Sequence, residues 1–401
     1  MAGPPSSKRQ RTADPALATS RIEGLTTDLL LRVMSNLDAR LAVQICVLFP
    51  CFRDLWRSLP CINATCEEFE DDEGIVNEVS FKAFINRFLA RRESVGIDRF
   101  RLCYSIVGGP GTDLEACYVD ANDWIRHALE HDARIVELEN HSEPLELDPD
   151  VFTSKCLETL HIGNATLVEG FFEQLEHGCP GLKDLVLTNC MITDHEISSP
   201  TLELLTVQEE LGFVHDDRLV SISAPSLKFF TFAKNDGVRL PSLINMASLE
   251  KAWILIPDDI EDVNASDIKQ FLKGLSGVTR LTFYYGHRKL TMEKDYQWCP
   301  KFSNLTDLIL EGWCVHEDFY ALIVFLQNSP NLKKLTLELD KPRLHQGKLC
   351  AIVGELEERS FTCDQLEIVN IICSEKALLA KVKQFLLDGG VELEKIHDCR
   401  N

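Results

Sequence analysis

Two histidines four residues apart, His127 and His131 in the stretch HALEH, have the types and spacing that could hold a metal. The pattern H-x-x-E-H puts both imidazoles on one face of a helix, with Glu130 placed as the general base of a zinc hydrolase. Trp124, Ile125, Ala128 and Leu129 form the apolar face of the same segment, so the two histidines lie at its polar border. A third ligand would have to come from one of many acidic residues, and nothing in the spacing selects it. The bland reading, a pair of border histidines on a structural helix, is preferred. Other catalytic patterns are missing: no G-x-S-x-G, G-x-x-x-x-G-K-S/T or G-x-G-x-x-G occurs, and GGPG at 108–111 reads as a turn. Fifteen cysteines, an odd number with no C-x-x-C pair, suggest neither a disulfide framework nor a zinc knuckle. The residues point to a non-enzyme, with no catalytic group, metal or cofactor.

The 401 residues carry a net charge of −22. A nucleic-acid reader needs a basic face, so DNA and RNA are not expected partners. No run of eighteen apolar residues offers a membrane span. The polar start, MAGPPSSKRQRTADPA, is unlike a secretory signal, and many unpaired cysteines fit a reducing compartment. Lys8, Arg9 and Arg11 form a short basic cluster of the nuclear-import kind, so nucleus and/or cytoplasm is the expected location.

The elements that could position a function begin after a Pro/Ser/Ala-rich leader over 1–20. Thr26 or Thr27 caps a short amphipathic helix with Asp28 in its first turn. Leu29, Leu30, Val33, Met34 and Leu37 supply its apolar positions. Asp38 caps a second helix, LAVQICVL, that is apolar nearly all round and ends near Leu48. Pro50 fits the first position of a third helix over Pro50–Trp56, where its missing N–H costs nothing. About forty residues cannot bury so much apolar surface alone, so something else must cover it: a partner, or the next domain if the helices are only a small cap on it.

A run of six acids in seven residues follows (67–73) and reads as a solvated loop. Phe81, Phe84, Ile85, Phe88 and Leu89 then define a linking helix. Beyond it one template recurs, apolar-x-x-apolar-x-apolar, beginning at residues 97, 133, 157, 182, 202, 227, 249, 278, 305, 332 and 366. All intervals but 97 to 133 and 332 to 366 lie between 20 and 29 residues, the leucine-rich-repeat period. Stacked repeats share one core, which predicts a curved parallel sheet with helices or irregular turns outside. FFEQLEHG and DFYALIVFLQNS read as outer helices. Leu378, Leu379, Val382, Phe385 and Leu386 define a closing helix.

Side chains alternate along a strand, so the third, fifth and seventh template positions face the concave side. Most are polar, including Thr188, Gln208, Thr231, Glu311, Thr336 and Glu338. Phe229, Trp253, Leu255, Tyr284 and Ile309 are not, and they fall on four consecutive repeats. An apolar cluster with a polar rim predicts a site for a protein client. An overlying loop that buries the cluster is the alternative.

Leu25, Asp28-Leu29-Leu30, Val33, Leu37, Val43, Val47, Arg53 and Trp56 together resemble an F-box. ARLAVQICVL…FRDLWRSLPCIN is more particularly similar to the F-box of a large plant family that continues into leucine-rich repeats and often an FBD region, which the tail EKALLAKVKQFLLDGG resembles. That family usually has Pro directly after the first Leu, where this chain has Thr26, and a Ser, two basic residues and a Trp in place of Phe49–Phe52. The resemblance implies an α/β chain: a three-helix F-box module over 21–62, an acidic loop and linker helix over 63–95, an irregular repeat solenoid over 96–340, and a last repeat with an FBD-like cap over 341–401. It implies docking on a Skp-type adaptor, and through it a cullin, by Leu25, Leu29, Leu30, Val33, Val43, Val47, Phe52 and Trp56. The repeats would then hold a protein client for ubiquitin transfer. A repeat scaffold outside any ligase is the alternative.

Overall fold

The computed structural model describes residues 26–49, 52–105, 114–141, 143–208, 220–233, 240–256, 265–285, 299–311, 314, 319–339, 361 and 365–399. The leader with its basic cluster, Leu25, Pro50 and GGPG lie outside them. Among the described residues, thirteen parallel strands form one sheet whose spatial order follows chain order. They are β1 (Cys61–Thr65), β2 (Arg99–Cys103), β3 (Ile135–Glu139), β5 (Thr159–Gly163), β7 (Asp184–Thr188), β10 (Leu204–Gln208), β12 (Phe229–Ala233), β14 (Lys251–Ile256), β15 (Arg280–Tyr285), β16 (Asp307–Glu311), β17 (Lys334–Glu338), β18 (Ile368–Ile372) and β19 (Ile396–Asp398). Shorter strands make two further parallel sheets. One joins β4 (Leu145–Leu147), β6 (Ala165–Leu167) and β8 (Met191–Ile192); the other joins β9 (Glu196–Ser198), β11 (Ser221–Ser223) and β13 (Ser242–Ile244).

Each of the eleven template segments enters its strand at its third residue. Positions four and six then point to one side and are buried: Leu160, Leu185, Leu205, Leu281, Leu308 and Leu335 are all fully enclosed. Asn164 and Asn189, just past β5 and β7, both take φ of +54°. Asparagine tolerates this left-handed conformation better than most residues. Their N–H groups donate to Thr188 O and Gln208 O, each at 2.8 Å, so each turn continues the ladder of the sheet.

The helices are α1 (Thr27–Met34), α2 (Ala39–Leu48), α3 (Glu78–Ala90), α4 (Leu114–Glu130), α5 (Phe171–Gly178), α6 (Ala265–Gly274), α7 (Tyr320–Gln327) and α8 (Lys376–Asp388). In α7 every residue from Tyr320 to Leu326 is buried, as a helix apolar on all sides requires. Gly178 ends α5 where a Cβ would stand 2.1 Å from Phe152 O, so the close approach needs glycine. Helix α8 buries Leu379, Val382 and Leu386, with Leu378 and Phe385 half-buried against the core. It does not close the chain, because β19 follows and pairs with β18. No described helix is long and apolar enough to cross a membrane.

Helices α1 and α2 enclose a small core of Met34, Ala42, Cys46, Phe52 and Leu59. The expected third helix is corrected: its described part is a turn at Arg53 and Asp54 followed by a 3-10 helix over Leu55–Ser58. Trp56 belongs to both this core and the main one, with its ring 5.1 Å from Phe88 of α3. β1 lies across the boundary expected between residues 62 and 63.

The acidic run is not wholly a solvated loop. Cys66–Phe69 forms a 3-10 turn, and the Glu68 carboxylate accepts the backbone N–H groups of Arg40 and Leu41, each at 3.1 Å. Asp38, the expected cap, makes no capping bond; it accepts from the Asn63 side chain instead. The first turn of α2 is therefore capped from the sheet side. Thr26 does cap α1, accepting from Leu29 N at 3.5 Å.

Candidate functional site

The two N-terminal helices each leave apolar side chains uncovered. Leu29 and Val33, one turn apart on α1, are 46% and 58% exposed; Leu41, Val47 and Leu48 on α2 are 39%, 79% and 72% exposed. Of the residues read from the sequence as adaptor contacts, Leu29, Val33 and Val47 lie in this exposed set. Leu30 and Val43 are half-buried. Phe52 is buried, its ring 5.6 Å from Phe49, and Trp56 is half-buried with its ring 5.1 Å from Phe88. Phe52 packs within the small core of the two helices, while Trp56 joins that core to the main one. Leu41 and Leu48 are exposed as well; a helix apolar on nearly every side does not reveal from sequence which stripe faces inward.

On the sheet, the residues read as a client surface occupy β12 to β16. Trp253 is in register with Thr231 and Thr282, and Thr282 with Ile309. Leu255 stands directly beside Tyr284. Phe229 pairs in register with Lys251, whose ammonium lies 4.8 Å from the ring centroid. Phe229 is exposed, and Trp253, Leu255, Tyr284 and Ile309 are half-buried. The same face is charged toward its N-terminal end, where Arg99 meets Glu137 and Arg101 meets Glu139, each at 2.6 Å. The expected polar rim is less open, since Glu311 and Thr336 are both buried.

The HALEH histidines lie at the end of α4. Their rings stack with centroids 4.1 Å apart, and His131 Nδ1 is 2.7 Å from the carbonyl of His127. Among the described residues, neither joins a cluster of metal-ligating atoms. Burial, then the neighbouring His131 and Arg92, pull the His127 imidazole down to about 4. Its Nε2 is buried without a hydrogen-bond partner, as are the three guanidinium nitrogens of Arg92. Burial lowers Arg92 itself to about 10. This is a desolvated structural corner, where the neutral imidazole is the stable form.

Cysteines meet elsewhere. Cys66 follows β1 and Cys103 ends β2, and both are buried thiols. Contact with Cys66 draws the Cys103 thiol down against the burial that raises it, while Cys66 itself is pushed up. Residues 37 positions apart in the chain (66 to 103) give no spacing signal, so sequence reading passed over them.

No family model matches the chain. It is 26% identical over 412 residues to an F-box/FBD/LRR-repeat protein of Arabidopsis thaliana, covering 94% of this chain and 91% of that protein. A second such Arabidopsis protein is 25% identical over 436 residues, covering 94% and 89%. The MEIOTIC F-BOX protein MOF of Oryza sativa subsp. japonica is 26% identical over 373 residues, covering 85% and 74%.

Proposed function

From this likeness to FBD-containing F-box/LRR-repeat proteins of plants, which spans almost the whole chain, we propose that the protein is a substrate-recruiting subunit of a Skp/cullin/F-box ubiquitin ligase. The observation that carries the reading is the exposure of five apolar side chains, Leu29 and Val33 on α1 and Leu41, Val47 and Leu48 on α2, on the module that resembles an F-box. Covering these side chains is worth roughly 1.5–3 kcal/mol each at full burial, before the costs of association are subtracted. A Skp-type adaptor would supply the missing cover and link the chain to a cullin.

The long parallel sheet would be the repeat solenoid, and the patch around Trp253, Leu255 and Tyr284 would hold a protein client. The chain would act by position alone. Holding client and ubiquitin-transfer machinery in one complex raises their effective concentration. The basic cluster at Lys8, Arg9 and Arg11 supports work in the nucleus and/or cytoplasm. Co-purification of the full chain with a plant Skp-type adaptor tests the reading. A stable complex supports it, and failure of the folded wild-type chain to retain adaptor at micromolar concentration overturns it.

A further inference from the structure

We propose that Glu67, Cys103 and His141 form a binding site for a zinc-like divalent cation at the C-terminal ends of the first three strands of the sheet. The Cys103 sulfur is 3.3 Å from His141 Nε2. A Glu67 carboxylate oxygen, that sulfur and a His141 nitrogen all lie within 4.8 Å of one another. Around a tetrahedral zinc, with sulfur at about 2.3 Å and nitrogen or oxygen at about 2.0–2.2 Å, two ligand atoms stand roughly 3.5 Å apart. The Cys103–His141 pair already stands close to that spacing, and the exposed Glu67 carboxylate, within 4.8 Å of both, reaches it by a side-chain adjustment.

The repeat architecture builds this convergence. Cys103 is in register with Thr65 on one side and Glu139 on the other. Glu67 lies two residues beyond Thr65, and His141 two beyond Glu139. Three parallel strands thus deliver one ligand each, or the turn just after it, to a common rim. Cys103 is buried, which fixes its sulfur, whereas Glu67 and His141 are exposed and leave an entry path. The donor set of one thiolate, one imidazole and one carboxylate suits zinc or its cobalt substitute, and is too soft for magnesium or calcium. The fourth position falls to water or to Cys66, whose sulfur meanwhile accepts the Ser105 N–H at 3.2 Å.

The site also has a mechanical consequence. Glu67 sits in the same 3-10 turn as Glu68, which caps α2. A cation held there clamps that turn to β2 and β3, and so steadies the helix that carries Val47 and Leu48.

The test is a titration of the tag-free, metal-stripped full chain with Co²⁺, followed by displacement with Zn²⁺. One equivalent of Co²⁺ is expected, with the ligand-field bands of a tetrahedral ion and a thiolate-to-cobalt charge-transfer band. Zn²⁺ should abolish both and raise the melting temperature. Cys103→Ser should eliminate the charge-transfer band. Because Cys103 is buried, the exposed-ligand variants His141→Ala and Glu67→Gln decide the matter independently of folding. Each should keep the metal-free melting temperature and weaken Zn²⁺ binding by about tenfold or more. Absence of stoichiometric Co²⁺ binding by the wild-type chain overturns the proposal. So does a charge-transfer band that survives Cys103→Ser, or wild-type affinity in both exposed-ligand variants.

Discussion

The Glu68 carboxylate caps α2 from a different part of the chain, with one oxygen 3.1 Å from the backbone nitrogen of Arg40 and the other 3.1 Å from that of Leu41. Arg40 answers with its guanidinium, which donates to the Glu68 carbonyl and lies 4.4 Å from the Phe69 ring centroid. Two free N–H groups at a helix start thus find their partners 27 and 28 residues downstream. Burial raises the Glu68 carboxyl above its ordinary range, and the backbone donors offset part of that cost.

Replacing Glu68 by Ala should therefore destabilise the N-terminal module by about 1–2 kcal/mol, the upper part of the range for losing a helix cap. Glu68→Gln keeps one acceptor and should lose less. Thermal melts followed by circular dichroism check the order: wild type, then Gln, then Ala.

His127 gives a pH dependence of definite sign. Its imidazole is pulled down to about 4, chiefly by burial, so folding favours the neutral ring. The resulting stability is fully present above the ordinary imidazole value near 6.5 and is lost as pH falls from there through 4. The ceiling is about 3 kcal/mol, and the partial exposure of the ring brings it lower. A His127→Phe variant should show a flatter melting temperature between pH 6.5 and 4 than the wild type, and NMR titration of the wild-type ring should place its midpoint well below 6.

Trp56 and Val47 should separate stability from docking. Trp56 bridges the small core and the main core, so Trp56→Ala should cost about 3 kcal/mol. Val47 is 79% exposed, so Val47→Asp should change stability by no more than about 0.5 kcal/mol. Adaptor binding should respond in the opposite way: strongly to Val47→Asp, and to Trp56→Ala only as far as the module unfolds. Chemical denaturation beside a binding assay reads both.

For the sheet face, Trp253→Ala and Tyr284→Ala should each reduce client capture by about tenfold or more, the behaviour of aromatic anchors at an interface centre. Proximity labelling in plant cells with wild-type and variant chains checks this. Proteins enriched by the wild type should drop out with both variants, and unchanged capture by both removes this patch as the client site.

Much of the architecture was legible because one template repeats. All eleven segments are strands, since burial of the fourth and sixth positions is the same requirement in every turn of the stack. β1 escaped notice although Leu59, Ile62 and Ala64 obey the template; alanine is a weak apolar signal and the segment abuts the helical module. β19 escaped because Asp398 occupies the last apolar position. In the N-terminal module residue type alone did not tell exposed from packed side chains: Phe52 is buried and Trp56 half-buried, whereas Val47 is exposed. The Glu68 cap and the Glu67–Cys103–His141 cluster depend on which turns the stacking brings together. No local spacing encodes that.

The exposed apolar side chains of α1 and α2 are proposed as the face for a Skp-type adaptor. The direct measurement is a calorimetric titration of that adaptor into the full chain, comparing wild type with the double variant Leu29→Asp/Val47→Asp. Micromolar or tighter binding to the wild type is expected, with at least a hundredfold loss in the double variant at unchanged melting temperature. No heat from the folded wild-type chain, or equal affinity of the two proteins, would contradict it.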